Sequence, residues 1–139
     1  MPTYPGFYPY EGTFKKRLFS MKGGEAKDVG DSLSYENAGT VDELELAVTS
    51  DTIVAVYGDA PRTSGDSADA DRMCWVVERN PTQLWFANVE AGTATAQTDI
   101  GLNVDLNSAD GVDIGTTSNG DFIVEKVLTT ATIVGYFSA

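Results

Sequence analysis

Short apolar runs cut by turn-forming residues are the dominant pattern along this chain. In residues 43–48, Leu44, Leu46 and Val48 fall on one face, and Glu43 and Glu45 on the other. In residues 102–106, Leu102, Val104 and Leu106 oppose Asn103 and Asp105. This period of two predicts strands with one wet face. Residues 53–57, 73–77, 84–89, 122–128 and 133–137 are apolar on both faces and rich in β-branched and aromatic side chains, which suit a pleated surface. Residues 13–20 form a further candidate strand. Gly58-Asp59-Ala60-Pro61, Asn80-Pro81, Asp110-Gly111 and Asn119-Gly120-Asp121 mark turns between the runs. No long segment carries a helical period. The pattern predicts an all-β fold, a small barrel or sandwich.

Strands apolar on both faces need a second covering surface. Either they are central strands sandwiched inside the domain, or they form a subunit interface. The limited interior of a 139-residue chain favours the interface.

Residues 1–12 differ from the rest, with three prolines, two glycines and four aromatics. Proline removes a backbone donor and biases its predecessor toward extended geometry, so this segment is a poor central strand. Two readings stand: a strap over the domain's own core, or an extended arm docked on a neighbour. The arm is preferred, which divides the chain into an arm, 1–12, and a single domain, 13–139.

Charge narrows the choice of partner. The net charge is -12, and it is uneven. Residues 1–27 hold five basic residues (Lys15, Lys16, Arg17, Lys22 and Lys27) against two acidic ones; the remainder holds four basic against nineteen acidic. Phosphate would be repelled by such a body, so neither a nucleic acid nor an anionic membrane is expected as partner. Lys15, Lys16 and Arg17 alternate across a strand rather than forming one patch, which favours contact with an acidic protein surface. No run is long and apolar enough to span a bilayer, and no basic-then-apolar leader is visible. The expectation is a protein made in a cytoplasm without a cleaved export signal.

Candidate chemistry is sparse. The chain has no histidine, and its one cysteine, Cys74, sits in an apolar strand pattern where a thiol is usually inert. No nucleophile elbow, phosphate loop or dinucleotide fingerprint is present. Asp66, Asp69 and Asp71 lie in a small polar loop, and Asp105, Asn107, Asp110 and Asp113 form the run DLNSADGVD. The second resembles the start of a calcium loop, but it has one residue too many before Asp110-Gly111 and lacks a closing glutamate. A hairpin turn explains it as well. The expectation is no enzyme, no cofactor and no metal.

The order of several features resembles bacteriophage head decoration proteins, also called capsid cement or stabilisation proteins. The features are Lys22-Gly23-Gly24 then Asp28-Val29-Gly30-Asp31; the run at 53–59 before a variable polar loop; Thr98-Asp99-Ile100-Gly101-Leu102 leading to DLNSADG at 105–111; and Gly120-Asp121-Phe122-Ile123-Val124 before the terminal Gly135-Tyr136-Phe137. The resemblance implies a small β-barrel of the β-tulip kind; a jelly-roll-like barrel or sandwich is the alternative form of the all-β fold. It also implies a homotrimer on the outer surface of the virion, bound to the major capsid protein and stabilising the head. The proline-aromatic segment at 1–12 lies outside this pattern. From its composition and the basic cluster, the capsid-contact candidates are Tyr4, Phe7, Tyr8, Tyr10, Lys15, Lys16 and Arg17. A second class of function is a carbohydrate- or receptor-binding module of a tail or fibre, with Trp75 or Trp85 in a concave site. Both tryptophans lie in apolar runs, which places them in the core on this reading.

Overall fold

A computed structural model of the chain describes residues 6–22, 25–35, 43–61 and 73–138. They form an all-β protein of two sheets with one short helix. The first sheet contains β1 (Tyr8–Glu11), β7 (Leu84–Ala91), β8 (Asn103–Ser108), β9 (Gly111–Asp113), β10 (Phe122–Thr129) and β11 (Thr132–Phe137). Its order is β1-β7-β11-β10-β8-β9, and β9 pairs back in parallel onto β7. Five strands thereby close a barrel, with β1 as an extra strand. β1 and β9 share one edge of β7: β1 lies against residues 84–86, and β9 pairs further along at Val89 and Ala91. Four-residue α1 (Ala96–Asp99) connects β7 to β8.

The second sheet contains β2 (Lys16–Ser20), β3 (Ser32–Tyr35), β4 (Leu44–Leu46), β5 (Ala55–Tyr57) and β6 (Met73–Glu78), in the order β2-β6-β5-β3-β4. All its ladders are antiparallel. It curls until Met21, just past β2, bridges Leu44 of β4, and Lys22 N–H donates to the Leu44 carbonyl at 2.9 Å.

Side-chain alternation builds two cores. Met21, Leu33, Leu44, Ala55, Tyr57, Cys74 and Val76 fill the inside of the second sheet. Trp85, Ala87, Val104, Leu106, Phe122, Val124, Ile133 and Phe137 fill the barrel, joined by Val56 and Val77 from the second sheet and by Ile53 just before β5. β5 is apolar on both faces because Ala55 and Tyr57 enter one core while Val56 enters the other. The expectation of a subunit interface at 53–57 is therefore corrected: that strand is sandwiched within the chain.

The N-terminal segment is also corrected. Residues 8–11 are a strand of the first sheet, so no boundary between arm and domain falls at 12–13. Phe7 is 1% exposed and packs its ring 4.9 Å from Phe137 and 5.5 Å from Phe122. Two glycines permit this entry. A Cβ on Gly6 would lie 2.4 Å from the Gly30 carbonyl oxygen, which accepts the Phe7 N–H, and Gly30 itself has φ +97°. Tyr10 covers the outward ring of Phe86 edge-on at 4.9 Å, which accounts for much of the second apolar face of β7. The strap reading thus describes residues 6–11; residues 1–5 lie outside the described part.

Candidate functional site

The outer face of the β2–β6 pair carries three half-exposed apolar side chains. Leu18 lies directly opposite Trp75, and Ser20 opposite Met73. Leu18 is 46% exposed, Trp75 45% and Met73 47%. Cys74 and Val76, the alternate residues of β6, point into the second core, so strand geometry forces Trp75 outward. The expectation that both tryptophans are core residues holds for Trp85, which is fully buried, and fails for Trp75.

The next cross-strand pair, Lys16 and Val77, opens into a groove of about 240 Å3. Phe7, Pro9, Val56 and Trp85 also line it. Ledge and groove form one strip along a single face, apolar apart from Lys16, Ser20 and tyrosine hydroxyls. Isolated exposed apolar residues are ordinary on a surface, but a contiguous strip with a tryptophan at its centre marks a contact region.

The expected contact residues are not gathered into one patch. Tyr4 lies outside the described residues. Phe7 is buried in the barrel and is removed as a surface contact. Tyr8 is half-buried, and its hydroxyl donates to the Val29 carbonyl at 3.4 Å. Tyr10 is at the surface, with Lys126 Nζ 5.4 Å from its ring centre. Lys15 and Lys16 are exposed, and Lys16 borders the groove. Arg17 faces the other side of β2, where it pairs with Glu78 at 3.1 Å and sits 5.1 Å over the Phe19 ring.

The acidic runs are structural where they are described. DLNSADGVD forms the β8–β9 hairpin. Asp105 is 5% exposed, against the expectation of a wet face for it, because its carboxylate accepts the Asn119 and Gly120 N–H groups, both at 2.8 Å. Asp113 accepts from Gly115 N–H at 2.9 Å, and Asp110 from the Ser108 hydroxyl at 2.6 Å. Asp121 ties the two sheets together by accepting from the Thr49 hydroxyl and from the Ser50 and Leu106 N–H groups. Among the described residues no three His, Cys, Asp or Glu side chains are grouped to hold a metal. Asp66, Asp69 and Asp71 lie outside them.

Burial pushes the Asp31 carboxyl up to about 6, helped by the negative charges of Asp110 and Asp28; the Asp28 N–H and Lys27 oppose the shift. Burial also raises Glu90, beside the same hairpin. These carboxyls sit where residues 28–32 meet the β8–β9 turn, fastened by the Ser32 N–H and hydroxyl on the Ala109 carbonyl. Their shifts report a crowded acidic seam.

Comparison with protein-family models, curated proteins and solved structures gives no match to this chain.

Proposed function

We propose that this protein is a non-enzymatic capsid decoration protein, a cement that binds the outer surface of an assembled phage head and stabilises it. The observation that carries the reading is the Leu18–Trp75–Met73 ledge running into the apolar groove, a surface suited to another protein. The strongly acidic charge suits a soluble protein that must not bind packaged DNA. The partner is the major capsid protein, and the protein acts as a homotrimer on the virion exterior. The ledge takes the role first expected of the N-terminal aromatics.

One observation favours a second reading, a carbohydrate- or receptor-binding module: the half-exposed Trp75 stands beside a concave groove. Sugar sites combine an aromatic platform with convergent polar groups. Here the neighbours of Trp75 are Leu18 and Met73, which favours a protein surface. The deciding experiment is co-sedimentation. The purified protein should pellet with assembled heads and stay in the supernatant with free capsid subunits. Pelleting with neither, together with binding to a glycan array, would support the second reading.

A further inference from the structure

We propose that the open edge of β2 receives an extended acidic segment of the partner protein as an added strand. This rests on the reading of the surrounding face as a protein-docking surface, and it names how the partner is held.

The argument begins at Trp75. Its N–H donates to Asp59 Oδ2 at 2.9 Å, and its carbonyl accepts from Gly58 N–H at 3.0 Å. Both backbone groups of Trp75 therefore turn away from β2. The Leu18–Trp75 pair is of the non-hydrogen-bonded kind, in which side chains approach closely. By the same alternation Lys16, Leu18 and Ser20 direct their N–H and C=O groups away from β6. Among the described residues, Lys16 and Leu18 pair with nothing on that side; β4 reaches the edge only at its end, where Met21 bridges Leu44 and the bridge engages the Ser20 carbonyl. A row of free donors and acceptors at a sheet edge is a template for a further strand.

Side chains of an added strand would find a place on both faces. Between β2 and the β3–β4 side lies a second cavity of about 150 Å3, whose lining includes Arg17, Phe19, Tyr35, Leu44, Glu78 and Arg79. On the opposite face lies the Leu18–Trp75 ledge. Alternate residues of one extended segment would enter the cavity and cover the ledge.

Charge selects the occupant. Lys16 borders the ledge side of this edge and Arg17, paired with Glu78, the cavity side, in a chain with net charge -12. Arg79, at the cavity wall, keeps its Nε buried without an acceptor. An acidic segment supplies the missing acceptors. A second copy pairing β2 to β2 would instead bring two basic clusters together, which is unfavourable across strands. Basic residues on an edge also serve to repel stray strands. Leu18 at the centre, opposite a bare tryptophan, does not fit that purpose.

The test uses the full-length, isotope-labelled protein and two capped octapeptides, one alternating Glu with Val and the other Lys with Val. The Glu–Val peptide should slow amide exchange at Lys16, Leu18 and Ser20 by about tenfold or more, as new hydrogen bonds require, with little change at Arg17 and Phe19, which already face β6. The Lys–Val peptide should leave all five unchanged. Leu18→Pro removes an outward donor without touching the β6 ladder, and should abolish the effect. Lys16→Glu is a surface change that retains the fold and should reverse the preference between the peptides. Unchanged exchange with both peptides, or equal protection by both, overturns the proposal. Protection that depends on protein concentration alone assigns the edge to a second copy and overturns it too. Protein that decorates heads yet ignores the peptides refutes strand addition alone. Protein that takes the acidic peptide but ignores heads refutes the capsid reading alone.

Discussion

Leu18 and Trp75 face each other across the β2–β6 ladder with almost half of each side chain open to solvent. Trp85, in a comparable apolar run, is fully enclosed. The two tryptophans therefore separate binding from folding. Trp75→Ala should change the unfolding free energy by about 1 kcal/mol or less, as surface positions do. Trp85→Ala should cost about 3–5 kcal/mol, as large-to-small core changes do. Urea unfolding of both variants checks this; a similar loss for both would place Trp75 in the core.

The N-terminal segment is part of the fold, so its removal should be felt by the fold. Phe7→Ala empties a site enclosed by Phe122, Phe137 and Trp85 and should cost about 3–5 kcal/mol. Deleting residues 2–11 also uncovers the edge of β7 and the ring of Phe86. Circular dichroism melts should show a large drop in midpoint for both variants. A truncated protein as stable as the full chain would return these residues to the role of a free arm.

Acidity should stabilise the protein over a defined range. The folded state holds Asp31 protonated up to about pH 6, above the carboxyl's ordinary value of 3.8. Its favourable contribution is fully present below the ordinary value and is lost as pH rises through 6. Glu90 shifts in the same direction. Thermal midpoints taken across this range should fall with rising pH more steeply in the wild type than in Asp31→Asn. Identical pH profiles would remove Asp31 as the source.

Calcium should leave the melting midpoint unchanged, since the hairpin carboxylates of Asp105 and Asp113 already accept backbone N–H groups. A ligand that bound only the folded state would raise the midpoint with its concentration. A calorimetric scan with calcium and then with chelator measures this, and a shift that the chelator reverses would contradict it.

Much of the architecture was legible in the short runs between turns, because eight of the strands coincide with them. Their boundaries were displaced where backbone pairing, not side-chain pattern, ends a strand. Three strands were not legible. β1 hides behind Pro9, which occupies an edge position where its missing donor does no harm. β3 reads as polar, yet Ser32 and Ser34 are buried because their hydroxyls donate to the Ala109 carbonyl and to Asp51. β9 is three residues long. The candidate site was misplaced for a related reason. A run such as MCWVV shows that two faces exist, but not which face its own sheet covers. Only the register with β2 and β5 shows that Cys74 and Val76 are enclosed while Met73 and Trp75 are open.

The central claim is that the Leu18–Trp75 ledge holds the protein on an assembled head, and the occupancy of heads by Trp75→Glu tests it most directly. A charge at this position should leave the melting midpoint close to that of the wild type, because the side chain points to solvent. Quantitative co-sedimentation across a concentration series should then show the variant's affinity for heads reduced about a hundredfold or more, the loss typical of a buried aromatic anchor. Wild-type occupancy by a correctly folded Trp75→Glu protein would contradict the account.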